Sequence, residues 1–131
     1  MIILTYGTFD LFHYGHDRLL ERARSLGSRL GVGLSTDEFN ALKNKRAVMS
    51  YEERRDHVTA CRHVDFVFPE MNWEQKAADI VAYNASMLVM GDDWRGKFDH
   101  LAHLCKVHYL ERTPDISSTQ MREALKNRYP R

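Results

Sequence analysis

The sequence predicts an α/β fold, a single domain over residues 1–131 in which five parallel strands form a sheet wound on both faces by helices. Two observations carry this. Short apolar, β-branched runs recur along the chain with helical patterns between them, and no repeat, low-complexity tract or Pro/Gly/Ser linker interrupts the alternation. Strands buried on both faces read as continuous apolar runs rather than as alternating ones.

Residues 2–6 form the first buried run, and residues 16–26 a helical pattern with Leu19, Leu20, Ala23 and Leu26 on one face. Gly27 stops that helix. Residues 30–34 are the second strand, followed by a polar loop over 35–49. Ser50 and Glu53 have capping-box spacing and open a helix reaching about His63. Residues 65–68 are the third strand, closed by Pro69, and residues 73–84 a helix with Trp73, Ala77, Ile80, Val81 and Asn84 along one stripe. Residues 87–90 and 107–110 are strands four and five, with a helix near 96–104 between them. Residues 117–126 form a last helix, with a second capping spacing at Ser117 and Gln120. Right-handed crossovers make this a doubly wound, Rossmann-like domain. Ligands in such sheets bind beyond the carboxyl ends of the strands, where the helix N-termini point.

Composition excludes several classes. With 19 basic and 18 acidic side chains the formal charge is +1, which argues against a general nucleic-acid or membrane-surface binder. No run approaches the length of a membrane span, and the start MIILTYGTFD has no basic leader or cleavage site, so a cytoplasmic protein is expected. Cys61 and Cys105 sit apart in apolar contexts and read as buried thiols in a reducing compartment.

The segment after the first strand, Gly7-Thr8-Phe9-Asp10-Leu11-Phe12-His13-Tyr14-Gly15-His16, carries the strongest chemical signal. Its glycines permit close backbone approach. His13 and His16 at the start of a helix can face one point, toward which unsatisfied N–H groups and the positive end of the helix dipole also turn. That is an anion site with two imidazoles added. A metal pair is the weaker reading, since no third ligand is evident and the dipole opposes a cation. Arg112 follows the fifth strand, and Ser117, Ser118 and Thr119 bring hydroxyls and N–H groups to the last helix's first turn, a second anion site. Lys43, Lys45 and Arg46 form the densest basic cluster, either a solvated charge run or a lid over a triphosphate. Arg54 shares a stripe with Val58 and Cys61 and so needs an anionic partner, either a bound phosphate or a nearby carboxylate. Lys76 lies in a helix's first turn, where the dipole disfavours a cation; it is either an ordinary solvated lysine or a phosphate ligand.

GTFDLFHYGH resembles the HxGH signature of the cytidylyltransferases, and the run from Arg112 through Thr119, RTPDISST, resembles that family's second motif, R-T-x-G-I-S-T-T. STDEFN, NWEQK and MGDDW-x-GKFD match the branch that uses glycerol 3-phosphate, and the likeness covers nearly the whole chain. Asp115 and Ser118 replace the family's Gly and Thr; Asp tolerates a left-handed backbone and Ser keeps a hydroxyl. The resemblance implies CTP as nucleotide and glycerol 3-phosphate as acceptor, with Mg²⁺ accompanying the triphosphate, a homodimer, and a product that feeds polymers of the teichoic acid type. It implies His13, His16, Lys45 and Arg112 as catalytic residues. Thr8, Phe9, Gly91, Asp93, Thr113, Ile116, Ser117, Ser118 and Thr119 would join them around the nucleotide, and Asp10, Lys43, Arg54 and Lys76 would hold the acceptor. Trp73 and Trp94 are given no catalytic role, and no protein ligand set for a metal is assigned. Other phospho-alcohols, such as phosphoethanolamine or phosphocholine, ATP in place of CTP, and a module that binds nucleotide without turnover are the alternatives.

Overall fold

The computed structural model describes residues 1–111. Five strands, β1 (Ile2–Gly7), β2 (Arg29–Ser35), β3 (Phe66–Glu70), β4 (Met87–Gly91) and β5 (Lys106–Leu110), form one parallel sheet in the order β3-β2-β1-β4-β5. The order reverses between β1 and β4, so the crevice outside the carboxyl ends of that pair is where a doubly wound sheet places its ligand.

Residues of alternate parity divide the core. Ile3, Met87 and Val89 join Leu30, Val32 and Leu34 on the face covered by Leu20 and Ala23 of α1 (Tyr14–Arg24) and Val58 of α3 (Tyr51–Ala60). Leu4, Tyr6, Leu88 and Met90 face the other way, onto Ile80 of α4 (Gln75–Ala82), Phe98 and Leu101. Both faces are apolar, so the strands lack the alternation of a half-solvated sheet.

Four local departures from the sequence reading have physical causes. The polar stretch 35–49 contains a short helix, α2 (Asp37–Leu42): the Thr36 hydroxyl accepts from the Phe39 N–H, and Phe39 and Asn40 are buried. Six residues are too few for a helical period to show. The third strand runs through Pro69 to Glu70, because β3 is an edge strand on which a missing N–H costs little. In α4 the inward positions are Lys76, Ala77 and Ile80, while Val81 is exposed, Trp73 precedes the helix and Asn84 ends it with φ +51. Periodicity could not select that face, since it puts a lysine inside. Between β4 and β5, single 3₁₀ turns at Asp92–Trp94 and Asp99–Leu101 replace the expected helix, with Gly96 at φ +83 between them. Among the described residues, no helix is long and apolar enough to cross a membrane.

Candidate active site

The loop from β1 into α1 is shaped around its two histidines. His13 is the N-cap of α1, and its Nδ1 accepts from the Gly15 N–H at 3.0 Å. His16, at the N3 position, turns its Nδ1 back to the His13 N–H at 3.3 Å. The pair thus forms a capping box made of two imidazoles, and the helix begins earlier than periodicity predicts because the histidines themselves start it. The rings stack with centroids 3.9 Å apart. A backbone N–H only donates, so both Nδ1 atoms carry lone pairs, and each ring holds its proton on Nε2. Two helix-capping bonds therefore fix two Nε2–H donors.

The glycines of this loop are steric requirements. A Cβ on Gly15 would lie 2.8 Å from His13 Cε1, where the capping ring sits, and one on Gly7 would lie 2.8 Å from the Phe9 ring. Phe9 is buried with a left-handed backbone, φ +51, and its ring meets that of His16 edge-on at 5.3 Å. A bulky residue is held in this costly conformation by the packing around it.

Burial is the main force that lowers the His16 pKa to about 4, with His13 adding to it and Asp10 opposing. His16 is therefore neutral at physiological pH and keeps its hydrogen-bond donor at Nε2. The depression carries a stability consequence. The unfolded chain takes up this proton near pH 6.5 and the folded chain only near pH 4, so the contribution is fully present above pH 6.5 and is lost as pH falls toward 4. The loss is about 3 kcal/mol. Urea midpoints at pH 7.5 and pH 4 should fall more steeply for the native chain than for His16→Asn; parallel falls would show that the ring titrates normally.

A cavity of about 330 Å³ opens in front of these rings at the carboxyl ends of β1 and β4. Of the residues singled out in the sequence, Thr8, Phe9, Asp10, His13, His16, Lys43, Lys45 and Lys76 all line it. Lys43 is half-buried, with Nζ 4.4 Å from the Phe39 ring centroid, and burial is the first cause that holds its ammonium below the usual lysine range. Lys45 lies on the surface, 5.7 Å from the centroid of Trp94. Asp10 borders the cavity and anchors the basic loop: its two oxygens accept from the N–H groups of Val48 and Met49 at 2.8 and 3.0 Å.

Arg54 behaves differently from the others. It is fully buried and does not line the cavity. Its Nε donates to Met49 O, its Nη1 to Thr8 O and Ser35 O, and its Nη2 to Asp37 at 2.7 Å. Of the two partners left open by the sequence, the structure supplies the carboxylate. The Tyr51 N–H, together with this guanidinium, holds Asp37 below the usual carboxylate range. Gly91 ends β4 beside Met90, which does line the cavity, whereas neither Gly91 nor the exposed Asp93 does. Arg112, Thr113, Ile116, Ser117, Ser118 and Thr119 lie outside the described residues.

The cavity also contains Trp73 and Trp94, to which no catalytic role is assigned from the sequence, and three residues that the sequence reading did not single out: Tyr6, Glu70 and Phe98. Glu70 pairs with Lys76 at 2.5 Å, both nearly fully buried; burial pushes the Glu70 carboxyl up against the pull of that ammonium. Its place at the carboxyl end of a strand was the available signal, hidden by ending the strand at Pro69. Among the described residues, no group of three or more His, Cys, Asp or Glu is placed to hold a metal ion, and the cavity's carboxylates, Asp10 and Glu70, are engaged by backbone N–H groups and Lys76.

Known proteins agree with this geometry. The family model described as Cytidylyltransferase-like matches residues 4–124. The chain is 54% identical to "Glycerol-3-phosphate cytidylyltransferase" of Bacillus subtilis (strain 168), over 94% of this chain and 95% of that one. It is 48% identical to the protein of the same name from Staphylococcus aureus (strain NCTC 8325 / PS 47), over 94% and 93%. The crystal structure of the lipopolysaccharide core biosynthesis protein from Thermoplasma volcanium GSS1 superimposes with a TM-score of 0.71 over 86% of this chain and 98% of that one at 18% identity, a likeness of fold. A parallel sheet with its order reversed at β1 and β4, an HxGH capping box at that point and a match over most of the sequence place this chain in the cytidylyltransferase-like family.

Proposed function

We propose that the enzyme condenses CTP with glycerol 3-phosphate, forming CDP-glycerol and pyrophosphate. The observation that carries this reading is the pair of capping histidines, each with its proton on Nε2, beside a cavity bordered by Lys43, Lys45 and Lys76. The similarity to relatives named for this activity supports the choice of substrates.

A phosphate oxygen of the acceptor attacks the α-phosphorus in line, a new P–O bond forms, and the bond to the bridging oxygen breaks with the electron pair leaving on pyrophosphate. The nucleophile is already anionic, so no protein base or covalent intermediate is required, and positioning with charge stabilisation does most of the work. His13 and His16 donate through Nε2–H to the α- and β-phosphate oxygens as charge moves toward the leaving group. Lys45 and Arg112 share that charge; Thr8 and Phe9 border the cavity that takes the nucleotide, and the family resemblance adds Gly91, Asp93, Thr113, Ile116, Ser117, Ser118 and Thr119 to its binding. Lys43 and Lys76 face the acceptor. Mg²⁺ accompanying CTP would be held chiefly by the triphosphate and water, and would offset the charge of the phosphate oxygens. A homodimer and a product destined for teichoic-acid-type polymers rest on the resemblance in sequence, and a cytoplasmic setting on the two separated cysteines, which read as thiols of a reducing compartment.

The test is pyrophosphate release with CTP or ATP paired in turn with glycerol 3-phosphate, phosphoethanolamine and phosphocholine. Fastest turnover is expected for CTP with glycerol 3-phosphate. Equal or faster turnover with another pair reassigns the substrates, and CTP binding by calorimetry without turnover on any acceptor makes the chain a nucleotide-binding module.

A further inference from the structure

Lys76 occupies a site that an ammonium should avoid. It is 2% exposed and stands in the first turn of α4, where the helix dipole repels positive charge. Its Nζ is 4.7 Å from the ring centroid of Tyr6, 4.9 Å from that of Phe98 and 5.3 Å from that of Trp73, with Glu70 Oε2 at 2.5 Å. Three aromatic rings and a buried carboxylate around one nitrogen are the chemistry by which proteins recognise small ammonium ligands. The walls are braced: the Tyr6 hydroxyl donates to Asp79 at 2.8 Å, and the Phe98 N–H donates to the Tyr109 hydroxyl at 2.9 Å. The cage is continuous with the cavity of the two histidines, since Tyr6, Glu70, Trp73 and Phe98 line both.

We propose that the Lys76 ammonium is the resident occupant of an ammonium cage, and that by filling it the chain directs its acceptor pocket away from phospho-alcohols with a cationic head and toward uncharged, hydroxylated ones. The inference rests on the reading of the cavity as a nucleotidyl-transfer site. A cationic head group would compete for rings and a carboxylate already taken, and would meet like charge from both Lys76 and Lys43, whose Nζ lies 5.6 Å from the outer ring, Trp73. A polyol meets no such conflict: its hydroxyls can accept from the lysine and donate to Glu70.

The test is Lys76→Ala, read first by thermal unfolding in tetramethylammonium, methylammonium and potassium chlorides at equal ionic strength, with no nucleotide present. The emptied cage should bind the alkylammonium ions, raising the melting temperature on the order of 5 °C above potassium at about ten times their Kd. The wild type, Lys76→Met, which fills the cage without charge, and Lys76→Ala/Glu70→Gln, which removes the carboxylate, should show little of this difference. If removing Lys76 leaves Glu70 unpaired and the variant unfolded, alkylammonium rather than potassium should restore the folded signal. In turnover, the ratio of kcat/KM for phosphoethanolamine to that for glycerol 3-phosphate should rise at least about tenfold in Lys76→Ala, a change of about 1.4 kcal/mol in discrimination. Absence of alkylammonium-specific stabilisation in Lys76→Ala, whether it starts folded or unfolded, overturns the proposal. Stabilisation that appears while the wild type turns over no phospho-alcohol supports the cage and refutes the nucleotidyl-transfer reading.

Discussion

Replacing His16 by alanine is expected to slow pyrophosphate release by about 10²–10³-fold, the usual cost of removing one preorganised donor to developing phosphate charge. This side chain has two jobs at its two nitrogens: Nδ1 caps the His13 N–H and Nε2 carries the donor proton. The jobs separate on substitution. Asparagine places an acceptor near the Nδ1 position with nothing at Nε2, so His16→Asn should stay close to the native urea midpoint at pH 7.5 while losing turnover to the same extent as alanine. Alanine should lose a further ~1 kcal/mol of stability with the cap. Rates within threefold of wild type in either variant would remove His16 from the chemistry.

Arg54→Met should lower stability by about 3–5 kcal/mol, a large part of what a domain of this size has to lose. The guanidinium is fully buried and bonds three backbone carbonyls, from Thr8, Ser35 and Met49, besides Asp37. Methionine fills the space but leaves those carbonyls without a donor, and each buried acceptor left bare costs on the order of 1–3 kcal/mol. Lysine keeps the charge but cannot reproduce the planar fork, so Arg54→Lys should fall between the two. Urea denaturation of the three proteins at pH 7.5 measures the order. If Arg54→Met instead keeps its denaturation midpoint and loses only affinity for the acceptor, Arg54 is a substrate ligand and not the pin that joins the ends of β1 and β2.

Comparison of Arg54 and Lys76 shows how far a linear pattern reaches. Both were conspicuous as cations where the chain should not put them, one on an apolar stripe and one in a helix's first turn. Neither partner was identifiable. Asp37 lies 17 positions from Arg54, inside a helix too short to announce itself, and Glu70 lies six positions from Lys76, beyond a proline that looked like a strand end. The aromatic rings around Lys76 come from β1, from the turn ahead of α4 and from the segment after β4, distances along the chain that no periodicity connects.

What the residues determined alone was local and repetitive: five apolar runs, the breaks between them, the Ser50 cap, and a glycine–histidine loop with the spacing to begin a helix at a strand's end. Those properties follow from nearest-neighbour sterics and hydrogen bonding, which act over a few positions. Tertiary structure decided which atoms the functional side chains present. It buried the His16 ring and so kept it neutral, turned Arg54 inward to bind carbonyls of three separate segments, and closed three rings and a carboxylate around Lys76. Those outcomes depend on burial and on partners brought together across the sheet, and charge placed in a low-dielectric interior is governed by what surrounds it in space.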